Sequence, residues 1–158
     1  MERLRREFET LGFSRVETFI ASGNVIFESR TTKEERLREK VERHLGQALG
    51  YDVATFLRSP AELKQMANYR PFSSSLEEGH SIFVGLLPAP PSAEATKNLI
   101  ACRSETDEFH VHERQVYWLC RTRLSDSKFS GARLERILEM PATLRNLTTI
   151  RRLLAKYP

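Results

Sequence analysis

The sequence predicts an α+β protein with a doubled architecture, and three observations carry that prediction. Two β-rich hairpins, at 16–28 and 107–121, stand far apart in a chain of 158 residues. Each is followed by a stretch whose apolar residues recur at helical spacing. Between them, residues 71–79 collect proline, serine and glutamate, the composition of a junction rather than of an element.

The elements follow in order. Met1, Leu4, Phe8 and Leu11 recur at helical spacing until Gly12 stops the helix. VETFI and NVIFE flank Ser22-Gly23 as a hairpin, since Gly and Asn tolerate the positive φ of a tight turn. Thr32 and Glu35 read as a capping box, and Leu37, Val41, Leu45 and Leu49 form the stripe of a long helix closed by Gly50. DVATFLR alternates as a strand. Ser59-Pro60-Ala61-Glu62 opens a short helix with its cap, its first-turn proline and its reciprocal glutamate.

The second half repeats the grammar. SIFVGLL is a strand, the proline-rich turn 88–91 leads into a helix with Ala95, Leu99 and Cys102, and DEFHVHE with QVYWLCR forms the second hairpin. A helix carries Phe129, Leu134, Ile137 and Leu138, and a last one after Pro141 carries Leu144, Leu147, Ile150 and Leu154. Strand, helix, hairpin, helix is the order of a ferredoxin-like split βαβ unit. The expected layout is two such subdomains with antiparallel sheets. Residues 1–70 form the first, with a linking helix, and 80–158 the second, with basic C-terminal helices. The first lacks an opening strand, and the closing strand of the second is not visible in the pattern.

Composition bounds the function. Apolar residues make up 40% and charged residues 29%, values of an ordinary globular chain that builds a core without staples. Two cysteines, Cys102 and Cys120, are too few for a disulfide scaffold, so reduced thiols in the cytoplasm are expected. The amino terminus has no signal-peptide core, and no apolar run nears the ~18 residues that span a bilayer, so no membrane partner is expected. The charge is uneven. Residues 1–120 carry sixteen basic and eighteen acidic side chains, whereas 121–158 carry nine basic and three acidic. Such a block attracts phosphate or an acidic partner.

Two stretches, TFIASGNVIFES (18–29) and SKFSGARLERILEMPATLRNLTTIRRLL (127–154), together with Pro71-Phe72, resemble signature segments of the domain of unknown function 1697 family. The resemblance implies two ferredoxin-like subdomains and carries no established activity. It also implies departures. The family's opening strand and glycine-rich turn are not in this sequence, and Met1 sits where the family has an internal methionine. Leu147 replaces a usual tryptophan, and Gly131 a common asparagine. A chain without its opening strand is therefore expected, with a gap in the first sheet or with another chain, a rearranged strand or further residues filling it, and with any ligand site built from that segment incomplete.

Candidate sites are few. Ser22, Gly23 and Asn24 would offer backbone N–H groups to an anion, or serve only the hairpin turn. Ser127 with Lys128, and Arg145 with Asn146, are read as two helix starts that each carry a cation; if the turn at Pro141 joins them they make an anion cradle. His110, His112 and Glu108 share a strand face, but a zinc centre needs three or four ligands in a metal-binding pattern, and no metal is expected. No nucleophile elbow and no phosphate-binding glycine loop is visible, so no catalytic residue and no cofactor is expected. The expected function is a non-catalytic module that binds a phosphate-bearing ligand, nucleotide or nucleic acid, through the C-terminal helices. Two alternatives stand beside it. One is a small enzyme that orients a phosphorylated or carboxylated metabolite with Lys128 and Arg145. The other is an assembly module whose exposed sheet edge leads to a homo-oligomer. Phe19, Phe27, Tyr117 and Trp118 would stack bases if they were exposed on a sheet.

Overall fold

The computed structural model describes residues 2–19, 23–31, 33–72, 79–123 and 126–157. The chain divides into two compact units, Met1–Leu57 and Arg58–Pro158.

In the first unit, helix α1 (Glu2–Thr10) leads through Gly12, at φ +90°, into strand β1 (Ser14–Phe19). Strand β2 (Asn24–Glu28) pairs antiparallel with β1, as the hairpin pattern predicts. The register slips between Ser14 and Glu17, where Arg15 adopts the left-handed region at φ +50°. Helix α2 (Glu34–Leu49) ends on Gly50 in the left-handed conformation, with its N–H on the Gly46 carbonyl. Its N-cap is Lys33, which supplies no side-chain hydrogen bond; Thr32, and with it the expected capping box, lies outside the described residues. The core is Phe8, Phe13, Val16, Val41 and Leu45, edged by Val25, Phe27 and Val53. Phe13 stacks on Phe27 at 4.4 Å, and His44 Nε2 meets Glu7 Oε2 at 2.6 Å to tie α2 to α1.

DVATFLR corrects the expectation. Residues 51–57 form neither helix nor strand, and the sheet of this unit has two strands only among the described residues. Val53 reaches the core, and the backbone N–H of Thr55 goes to the Glu42 carboxylate at 2.9 Å. Alternation gave the segment a strand's side-chain pattern, but a ladder also needs a neighbouring strand in register.

In the second unit, helix α3 (Pro60–Asn68) begins with the predicted capping box: Ser59 Oγ accepts from Glu62 N, and Glu62 accepts from Ser59 N. Then come β3 (Ser81–Leu86), α4 (Ala93–Ile100), β4 (Asp107–His112), β5 (Gln115–Cys120), α5 (Gly131–Leu138), β6 (Thr143–Asn146) and α6 (Leu147–Lys156). The four-stranded sheet has the order β4-β5-β3-β6, with every neighbour antiparallel. Leu134 and Leu138 of α5, with Ala95 and Leu99 of α4, cover one face, packing on Phe109, Val116, Trp118 and Cys120. Gly85 makes that approach possible: a Cβ there would stand 3.2 Å from Leu134 Cδ2. The opposite face buries Val84, Leu86, Tyr117 and Leu119, and α3 and α6 pack together there with Met66, Ala67, Leu147 and Ile150 buried.

Two further expectations change. The division falls between Leu57 and Arg58 rather than at 71–79, so the helix expected to link the halves belongs wholly to the second unit. The Arg58 guanidinium donates to the carbonyls of Leu87 (2.8 Å) and Arg114 (3.1 Å), and Arg114 pairs with Glu62 at 2.9 Å. Those bonds fasten the start of α3 to the tip of the β4–β5 hairpin. The closing strand is also present: Thr143–Asn146, expected to open the last helix, is β6, paired with Phe83–Leu86.

Candidate anion-binding surface

Asp107 is a buried carboxylate with several hydrogen-bond donors around it. It is 5% exposed, and its carboxylate accepts from Trp118 Nε1 at 2.8 Å, from Thr106 Oγ1 at 3.1 Å and from Ser127 Oγ at 3.1 Å to each oxygen. Ser127 in turn accepts from Phe129 N at 3.0 Å. Ser127 is therefore committed to a buried carboxylate and does not cap a helix. The cap of α5 is Ser130, whose Oγ accepts from Arg133 N. Lys128 is exposed on the loop before that helix.

Arg145 lies elsewhere. In β6, Leu144 points into the core under α4 and α5, so Arg145, opposite Val84, leaves the sheet on the α3–α6 face. Its Nη1 donates to Thr143 Oγ1 at 2.7 Å and to the Leu144 carbonyl at 2.9 Å, and burial lowers its pKa from the ordinary guanidinium value. Lys128 and Arg145 thus belong to opposite faces of one sheet, and the expected two-helix cradle is not assembled. Asn146 does start a helix: Oδ1 accepts from Thr148 N at 2.9 Å as the cap of α6.

The hairpin candidates serve the turn. Gly23 adopts φ +81°, and Asn24 Nδ2 donates to the Phe19 carbonyl at 3.0 Å. Ser22 lies outside the described residues. His110 and His112 do share a face, and both serve Tyr69. Its hydroxyl meets His110 Nε2 at 2.7 Å, and its ring stacks on His112 at 4.1 Å. Burial, then the neighbouring His112, lowers the His110 pKa. Burial, then Tyr69 and Glu113, pushes the Tyr117 phenol up to about 12. Among the described residues, no three of His, Cys, Asp and Glu gather as a metal cluster. The Cys120 thiol is fully buried against the Thr122 carbonyl, and Cys102 donates to the Asn98 carbonyl.

What the structure does assemble is one face of α6. Leu147 and Ile150 are buried, while Thr148, Arg151, Arg152, Ala155 and Lys156 are exposed along the opposite arc. Residues 140–158 contain no acidic side chain at all. Glu139 is the last acidic side chain in the sequence, so α6 carries no acidic residue among its own positions. The signal was legible in the sequence as a charge imbalance. The face that carries it was not, because that depends on which side of α6 packs against the sheet.

These features define an α+β protein of two antiparallel-sheet units, the second ending in a basic helix. The chain belongs to the family described as protein of unknown function DUF1697, whose model matches residues 1–117 and so ends before α5, β6 and α6. It is similar in fold to the structure of the conserved bacterial protein SP0830 from Streptococcus pneumoniae. The TM-score is 0.76 at 22% sequence identity, over 99% of this chain and 87% of that one. No curated protein matches the chain. No described helix is long and apolar enough to cross a membrane.

Proposed function

We propose that the chain is a non-catalytic module that holds an anionic ligand on the exposed face of α6. The observation that carries this reading is the concentration of basic residues at the end of the chain, with Arg151, Arg152 and Lys156 exposed on a helix anchored by Leu147 and Ile150. A helix fixes the backbone that carries these cations before a ligand arrives, so less backbone ordering is needed on binding. We further infer that the second unit is a ferredoxin-like split βαβ. The strand order β4-β5-β3-β6, with α4 and α5 as the two crossovers on one face, supports it. A cytoplasmic setting suits two unbridged thiols, one of them buried.

The enzyme alternative loses its support with the separation of Lys128 and Arg145, which were to orient one substrate together. Base stacking on the sheet has no support either, since Tyr117 and Trp118 are each 1% exposed under the helices. The test is calorimetric titration with heparin and with ATP at low ionic strength, on wild type and on Arg151→Glu/Arg152→Glu. Wild type should bind at least one of these anions and the reversal should abolish it. A wild type that binds neither refutes the reading.

A further inference from the structure

We infer that the first unit is an acceptor for one extended strand of another polypeptide, added antiparallel to β2 between that strand and residues 53–56. Two rows of backbone groups carry this. Among the described residues β2 pairs only with β1, so one of its edges meets no strand. In residues 53–56 the backbone makes a single hydrogen bond to the described residues, from Thr55 N to the Glu42 carboxylate on α2, and none to another backbone group. Both segments pack on one core, through Val25, Phe27 and Val53. In an extended backbone neighbouring residues turn their N–H and C=O groups opposite ways. With Thr55 turned to Glu42, Ala54 and Phe56 are the residues that would bond an incoming strand.

The second unit shows what such a place holds. There a helix, a hairpin and a helix occur in the same order, so β2 corresponds to β5 and residues 53–56 to β6. Both β5 and β6 bond β3, which lies between them. Every residue of β5 is buried, whereas Val25, Ile26 and Phe27 of β2 are only half-buried. One inserted strand would bond both rows at once. A second copy joined β2 to β2 would leave 53–56 of each copy unbonded, so the single strand is the occupant that satisfies more groups. The other edge of this sheet is guarded: β1 carries the slip between Ser14 and Glu17, with Arg15 in the left-handed region and paired to Glu28. Bulges and charges keep edge strands from pairing. From Asn24 to Phe27, β2 has no charge and no proline. Recognition through main-chain bonds asks of the partner an extended form, with apolar side chains at alternate positions to meet Val25 and Phe27.

The experiment is hydrogen exchange, read by mass spectrometry, on the full chain with and without two peptides. One carries SIFVGL, the sequence of β3, and the other alternates valine and threonine over the same length; lysine pairs flank each. At about ten times its Kd, at least one of them should slow exchange in β2 and in 53–56 by about tenfold and leave β3 and β5 unchanged. The same peptides with alternate amides N-methylated keep their side chains and charge and should not bind. Ala54→Pro removes an N–H that bonds nothing among the described residues, and should weaken binding by about fivefold or more. Circular dichroism checks that this variant is folded. Protection confined to β4 or β6 overturns the inference, since the edges of the second unit would then be the acceptors. Undiminished binding of the methylated peptides overturns it too, because contact would be through side chains alone. Dimerisation of the chain without peptide, with β2 protected, gives the place to a second copy instead. Binding of neither peptide overturns the inference outright. None of these outcomes bears on α6, whose test uses anions.

Discussion

Among the described residues, two strands carry the sheet in the unit Met1–Leu57, whereas in Arg58–Pro158 four do, and β3 runs through the middle of them. Helix, hairpin, helix is common to both. The difference is the strand that stands before that order in the second unit, since β3 bonds β5 along six residues and β6 along four. The consequence shows in two short segments. Residues 53–57, Val-Ala-Thr-Phe-Leu, have the composition of a strand and form none. Thr143–Asn146, with a threonine, an arginine and an asparagine among four residues, is a strand because β3 presents it a row of backbone donors and acceptors. Pairing outweighs propensity here, as strand preference is mostly a statement about neighbours.

The contrast can be broken most forcefully at Trp118. Trp118→Ala should cost ~3–5 kcal/mol in the second unit and leave the first unaffected. Hydrogen exchange under urea reads this directly, as faster exchange of the β3 and β5 amides alone. Equal acceleration in β1 and β2 would mean that the units unfold as one. Next comes Asp107→Ala, which strips a partner from the Trp118 indole and from the Ser127 and Thr106 hydroxyls. It should cost ~1–3 kcal/mol by calorimetry, with Asp107→Asn milder because an amide oxygen still accepts.

The helix caps sharpen the comparison. Ser59→Ala removes the capping box of α3 and should lower the second unit's stability by about 1 kcal/mol. In the first unit the N-cap of α2 is Lys33, so Lys33→Ser should raise stability there by ~0.5–1 kcal/mol. If both substitutions act with the same sign, the cap assignments are wrong. The smallest expected effect concerns acid. His110 has a lowered pKa in the folded state, so the folded chain takes up its proton less readily than the unfolded one. Its contribution is fully present above the unfolded pKa near 6.5 and is lost as pH falls through the lowered value. Groups facing it are Tyr69, His112 and Tyr117, with Glu108 beside Arg121 on the same strand. His110→Asn should reduce the acid-side slope of the denaturation midpoint, and an unchanged slope would exclude His110 as a source.

Much of this was legible in the residues. Both hairpins, the capping box at Ser59 and the glycine that ends α2 are local chemistry, written in a few adjacent side chains. The failures share a cause. Ser127 and Thr143 look like helix caps because serine and threonine cap helices, but Ser127 is claimed by a carboxylate twenty residues away and Thr143 by a strand whose paired residue, Leu86, is 57 away. The anion cradle failed for the same reason: β6, unseen, separates its two halves onto opposite faces. The basic arc survived because charge is counted in sequence and only its direction needs the fold.

Trp118 has a practical side. It is the chain's single tryptophan, 1% exposed, bonded to Asp107 and ringed by Phe83, Phe109 and Phe129. All indole emission from the native chain therefore originates in one unit, in a dry setting that should shift it to the blue. A melting curve followed by that light would look cooperative and complete while reporting nothing of Met1–Leu57. The smaller sheet would have to be watched by other means, or its loss would pass unnoticed.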